Sequence, residues 1–164
     1  MIYKTLKKVK VIKKIGLKKI SNIGLNTIEK HLERKRLFSY PLRVDIVPTK
    51  FCNLKCIFCI QYSSEEKELS LGDFYFIANM LFSRIYQVFF CSGGEPFLNR
   101  NFMEFLDICR ERRVYINIVS NGMLLSEDIC KELIQNNFLR TFSFSVDGFK
   151  KETLESIRKG IDYN

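Results

Sequence analysis

The sequence contains no uninterrupted apolar stretch near the roughly 18 residues needed to cross a bilayer. Nor does it hold a run shaped like the apolar part of a secretory leader, because lysines interrupt every candidate in the first twenty residues. These absences point to a soluble or peripheral chain in the reducing cytoplasm, at most attached to a membrane surface. Its six cysteines are then expected free or metal-bound rather than bridged. Histidine occurs once, as His31 among charges, which argues against histidine-based acid–base chemistry. Outside one cysteine triplet there is no CxxC or HxxxH pair, so a structural zinc module lacks its second close pair of ligands. No RNA-binding motif or interleaved aromatic platform accompanies the lysines, and nucleic acid is not an expected partner.

What is present is enough for one ordinary core: 164 residues, 46% hydrophobic and 13% aromatic. The charge is unevenly placed. Residues 1 to 36 hold ten Lys, two Arg and two Glu, against a net charge of +9 for the whole chain, so the remainder is close to neutral. Within that basic stretch Leu6, Val9, Ile12, Ile15, Ile20, Ile23, Ile28 and Leu32 recur mostly three to five residues apart. This is the pattern of an amphipathic helix, broken at Gly16 and Gly24. The plain expectation is that its apolar stripe packs on the domain that follows. The alternatives are attachment to an anionic membrane surface or to an acidic partner. Residues 1–40 are thus read as a basic helical segment and 41–164 as the core domain.

Beyond Pro41 a repeating order of β-rich run, polar or Gly-rich loop and helical pattern occurs four times. The strands are read at 42–47, 86–91, 114–119 and 139–146. The helices begin at Ser70, with Asp73 completing a capping-box-like pair, at Asn101, with Glu104 three residues on, at Ser126, and at Lys150, the last running through KKETLESIRK to Gly160. Strands alternating with helices at this spacing imply parallel βαβ units. The fold class is α/β, a partial (βα) barrel of four parallel units preceded by the basic amphipathic helix. In such folds the loops after the strands converge on one rim. The cysteine triplet, SGGEP, SNG and SVDG each follow a strand.

The stretch TKFCNLKCIFCIQY, residues 49 to 62, holds Cys52, Cys56 and Cys59. Three thiolates are one fewer than a structural zinc or a self-contained iron–sulfur cluster takes, so something else must complete the site. Cys91, at the end of the second strand, could close a tetrahedral zinc site, with the basic arm on nucleic acid. That reading leaves GGEP unexplained. Cys109 and Cys130 read as small buried hydrophobes inside helices.

CNLKCIFC, followed roughly thirty residues later by a strand and GGEP and then by SNG and SVDG, resembles the radical S-adenosylmethionine (radical SAM) superfamily over residues 42 to about 160. Among its members the SPASM-type enzymes are most similar. The resemblance implies that Cys52, Cys56 and Cys59 each bind one iron of a 4Fe-4S cluster, the fourth iron staying open to the methionyl group of S-adenosylmethionine. It further implies an electron donor such as a flavodoxin or ferredoxin, and cleavage of the sulfonium to a 5'-deoxyadenosyl radical that abstracts a substrate hydrogen.

The same resemblance assigns cofactor contacts. Phe58 would lie against the adenine, the plain alternative being a core contact. Gly93 and Gly94 would let backbone approach the ligand, and Glu95 would meet the methionyl ammonium. Ser120 and Asn121 match a polar cofactor contact, or simply cap a turn before Gly122. Ser143, Ser145 and Asp147 share one face of strand four, Phe142 and Phe144 suiting the helix side. Ser145 would reach the ribose or the methionyl carboxylate, while Asp147 could instead cap a turn with Gly148. The family's core holds six βα units and four are read here. An inactive cluster-binding remnant is therefore a further reading, and the exposed edge of TFSFSV invites self-association.

Overall fold

Apolar side chains at alternate positions set the strands, and the two-residue period puts each set on one face. The computed structural model describes residues 14–59, 68–91 and 93–162. In chain order it contains α1 (Leu17–His31), β1 (Arg43–Ile46), the short β2 (Lys55–Cys56), α2 (Leu71–Leu81), β3 (Gln87–Phe90) and a 3-10 turn at Pro96–Leu98. There follow α3 (Phe102–Glu111), β4 (Tyr115–Ser120), α4 (Glu127–Gln135), β5 (Leu139–Phe144), α5 (Lys151–Ile157) and β6 (Arg158–Lys159). Strands β1, β3, β4 and β5 form one sheet in that order. All its pairings are parallel, Val44 lying opposite Val88, Val88 opposite Ile116 and Ile118 opposite Phe142.

Val88, Phe90, Ile116 and Ile118 point to the face that α2, α3 and α4 cover with Phe74, Ala78, Phe102, Phe105, Cys109 and Leu133. Phe74 stacks on Phe105 at 4.2 Å between ring centres and meets Phe82 edge-on at 5.6 Å. The opposite face is polar. Arg43 pairs with Asp45 at 2.6 Å and lies over the Phe89 ring, while buried Asn117 donates to the Val88 carbonyl and accepts from Thr141. This arrangement directs the strand ends, and the loops after them, to a common rim.

Local signals fix two helix starts as expected. Ser70 accepts from the Asp73 N–H at 3.1 Å and Ser126 from the Ile129 N–H at 3.2 Å. Asn101 differs: its side chain makes no cap hydrogen bond. The neighbouring Asn99 takes that part, accepting from the Asn101 N–H while its amide donates to the Pro48 and Leu69 carbonyls. Strand four ends at Phe144 rather than Val146. The last helix ends at Ile157 rather than running to Gly160, because Arg158 and Lys159 leave it to pair antiparallel with Cys56 and Lys55.

The basic helix departs furthest from expectation. Gly16 is its N-cap, with φ 89°, but α1 runs unbroken through Gly24. It buries Lys19, Asn22 and Glu29, while Leu17, Leu25, Ile28 and Leu32 face outward. Lys19 Nζ donates to the Arg112 and Arg113 carbonyls, both at 2.7 Å. Asn22 bridges Tyr40 and the Arg84 carbonyl, and Glu29 accepts from the Phe38 and Ser39 N–H groups. The expected packing of the apolar stripe on the domain is met only in part, Ile20 and Ile23 being half-buried and Ile28 and Leu32 exposed. Of that stripe only Ile15 is fully buried, and Leu6, Val9 and Ile12 lie outside the described residues.

Candidate cofactor cleft

Strand β1 delivers the chain through Pro48 into the cysteine loop, which is folded by its own backbone and by two distant segments. Within it, the Cys59 N–H donates to the Cys56 carbonyl at 3.1 Å, and Cys52 Sγ accepts from the Leu54 N–H. The GGEP segment after β3 docks beneath it: the Gly94 N–H donates to the Thr49 carbonyl at 2.9 Å and the Glu95 N–H to the Phe51 carbonyl at 2.6 Å. A Cβ on Gly94 would overlap the Phe51 carbonyl, and one on Gly93, at φ 79°, would strike Val47. The paired glycines therefore let the two loops touch backbone to backbone.

From the other side comes β6. Besides its pairing with β2, the Ile57 N–H donates to the Ile157 carbonyl at 3.0 Å. Arg158 is buried, ion-pairs with Asp147, donates toward Cys56 Sγ at 3.7 Å, and lies 5.6 Å from the Phe58 ring centre. Burial pushes the Cys56 thiol up, and the Arg158 guanidinium pulls it back toward the thiolate.

Strand β4 ends in the third component. Glu95 is 3% exposed, and its two carboxylate oxygens accept from the Ser120 hydroxyl at 2.7 Å and the Asn121 N–H at 2.8 Å. Ser120 in turn accepts from the Gly122 N–H, and Asn121 accepts from the Met123 N–H while its amide donates to Asn53 Oδ1 at 2.8 Å. The Ser145 N–H donates to the Ser120 carbonyl. The turn-capping reading of Ser120 and Asn121 is present, and both also face the cleft.

These segments enclose a cleft of about 180 Å³ lined by Cys52, Cys56 and Cys59, by Phe58, Gly94, Glu95, Ser120, Asn121 and Ser145, and by Leu54, Val119 and Arg158. Of the residues expected from the sequence to hold the cluster or S-adenosylmethionine, Gly93 is not on its wall, and neither are Ser143 and Asp147. Phe58 is 59% exposed, so it is no core contact but an uncovered ring at the mouth. Cys91 is not a lining residue. Cys109 is buried and Cys130 only partly so.

Arg158, Asn53 and the Asp147 pairing were not foreseen, since each depends on a contact across the chain rather than on spacing. Among the described residues no group of three His, Cys, Asp or Glu side chains closes on one point as a single ion requires. Cys52, Cys56 and Cys59 all line the cleft.

A family model described as the Radical SAM superfamily matches residues 46–164. The S-adenosylmethionine-dependent nucleotide dehydratase of Selenomonas ruminantium is 27% identical over 115 residues, covering 68% of this chain and 41% of that protein. The crystal structure of Streptococcus suis SuiB bound to S-adenosylmethionine superposes with a TM-score of 0.66 at 21% identity, over 81% of this chain and 31% of that one. Native anSMEcpe with bound AdoMet and the Cp18Cys peptide superposes with a TM-score of 0.60 at 28% identity, over 73% and 35%. The chain thus spans well under half the length of each.

Proposed function

Because the chain belongs to the radical SAM superfamily, we propose that its cleft holds a 4Fe-4S cluster and S-adenosylmethionine and serves radical-initiated hydrogen abstraction. The single observation that carries this is the convergence of Cys52, Cys56 and Cys59 with Glu95, Ser120, Asn121 and Ser145 on one wall. Residues from four separate strand ends meet there. When bound and reduced, such a cluster supplies the electron that cleaves S-adenosylmethionine to methionine and a 5'-deoxyadenosyl radical.

The chain's own contribution is placement. The three thiols offer a donor set that leaves one cluster position open. Glu95 already accepts two hydrogen bonds, and a carboxylate has about four acceptor sites, so it keeps capacity for the methionyl ammonium. The exposed part of the Phe58 ring, which Arg158 approaches at 5.6 Å, is offered to the adenine, and Ser145, on the cleft wall, to a ribose or carboxylate oxygen. Arg158 lies on the thiol side of the cleft, its charge shared between Asp147 and Cys56 Sγ. The open sheet is read as part of a barrel, whose interior is the polar face bearing Arg43, Asn117 and Thr141. Electrons would come from a flavodoxin or ferredoxin.

The reading is tested by anaerobic reconstitution with iron and sulfide. The wild type is expected to gain iron and brown absorbance, and Cys52→Ala, Cys56→Ala and Cys59→Ala to lose both, whereas Cys130→Ala retains them. Adding S-adenosylmethionine to the reduced protein should alter its electron paramagnetic resonance spectrum. Full cluster signals in all three single variants, or an unchanged spectrum, would overturn the assignment.

A further inference from the structure

We propose that the outward face of α1 is a docking surface for an anionic lipid bilayer. Single exposed apolar residues are ordinary on a soluble protein. Here four lie together: Leu17 is 73% exposed, Leu25 39%, Ile28 58% and Leu32 60%. At 3.6 residues per turn these positions fall within roughly 80° of one another. Leu25 also opens into a groove shared with Lys18, Phe38, Tyr40 and Arg84, which continues the apolar strip to Phe38, 65% exposed, and edges it with two cations.

The orientation of α1 makes this face available. Its polar residues are consumed inward, with Lys19, Asn22 and Glu29 all hydrogen-bonded to backbone groups of the body. The first carboxylate of the entire sequence is Glu29; of the eight lysines before it, Lys18 edges the strip, Lys14 and Lys19 bond to the body, and the other five lie outside the described residues. Because Glu29 points inward, no acidic side chain of α1 reaches the outer face. A narrow aliphatic strip edged by Lys18 and Arg84, on a helix with no outward carboxylate, has the composition of a helix lying in an anionic interface.

The placement is compatible with the cleft. Tyr40, Arg84 and Arg112–Arg113, which α1 grips, precede β1, β3 and β4, whereas the cleft lies where the strands end. A bilayer on α1 would meet the opposite end of the sheet and leave the cleft open to solvent.

Cosedimentation of the full chain with vesicles decides the matter, using phosphatidylcholine alone against phosphatidylcholine containing phosphatidylglycerol. Binding is expected only to the anionic vesicles. It should weaken about tenfold or more in the double variant Leu25→Ser, Ile28→Ser, since each aliphatic chain removed from the interface costs several buried CH₂ groups. That variant keeps every lysine, and its denaturation midpoint and circular dichroism are expected to match the wild type. Lys18→Glu should weaken binding as well, and added salt should reduce it further. Equal binding to neutral vesicles, or undiminished binding by the serine variant, would overturn the proposal. So would wild-type self-association that the serine variant abolishes without any vesicle binding, which would make the face a contact between copies. Tight capture of polyglutamate by the wild type, with no vesicle binding, would overturn it in favour of an acidic partner.

Discussion

Helix α3 offers Phe102, Phe105, Leu106 and Cys109 to the body, while α1 offers Lys19, Asn22 and Glu29. Both helices are amphipathic by sequence, yet the fully buried residues of α3 are apolar and those of α1 are polar, Ile20 and Ile23 of α1 being half-buried. The surfaces they meet explain why. Helix α3 lies on the apolar face of the sheet, where Val88, Phe90, Ile116 and Ile118 exclude water. Helix α1 crosses the ends of elements, where backbone groups lack partners within their own helix or strand. The Arg112 and Arg113 carbonyls at the end of α3 are of that kind, and a buried ammonium satisfies both. A periodic sequence thus establishes that a helix has two faces, and the receiving surface decides which one docks.

That contrast can be broken by removing one anchor from each helix. Phe105→Ala leaves a hole beneath Phe74 and should cost about 3–5 kcal/mol of unfolding free energy, measured by denaturant titration. A loss below about 1 kcal/mol, well short of that range, would show that α3 is not anchored by its apolar face. Asn22→Ala strips three hydrogen bonds from the α1 contact. It should cost about 1–3 kcal/mol through the groups left unpartnered. Hydrogen exchange should rise at Tyr40 N–H, the amide Asn22 caps; unchanged protection there would mean the contact is not held by this side chain.

The smallest effect is a pH profile. Burial lowers Lys19 to about 8 from its ordinary 10.5. Across that window the unfolded chain binds the proton more firmly than the folded one, so stability rises with pH. Cys109 opposes it, since burial pushes its thiol above the ordinary 9.0 and the unfolded chain loses that proton first. The unfolding free energy should therefore climb between pH 8 and 9 and flatten above, whereas Cys109→Val should prolong the climb and Lys19→Met abolish it. A wild-type profile falling between pH 8 and 9 would contradict the buried ammonium.

Much of the fold was legible because its signals are local. Alternating apolar residues marked the four sheet strands, and Ser70 and Ser126 announced helix starts through hydroxyls that cap the third residue on. The site was legible for a related reason: parallel strands bring the loops after them to one rim, so motifs far apart in sequence had to meet. The rest was hidden because it depends on pairing across the fold. No spacing rule indicates that Asn99 would tie Pro48 to Leu69, or that Arg158 would leave a helix to reach Cys56. The glycines of GGEP were read for closeness to a ligand, and the structure shows that they also serve closeness between two loops.

The pairing of β2 with β6 sets an order of events during synthesis. Arg158 follows Cys56 by 102 positions, and a ribosome adding roughly 5–20 residues per second exposes the triplet about 5–20 s before its guanidinium partner is made. During that interval the three thiols leave the tunnel with neither the Ile157 carbonyl to hold Ile57 nor a cation beside Cys56. Before Lys159 has emerged the cysteine loop lacks this support, and afterwards it has it. The cleft is therefore completed only after Lys159 has been made.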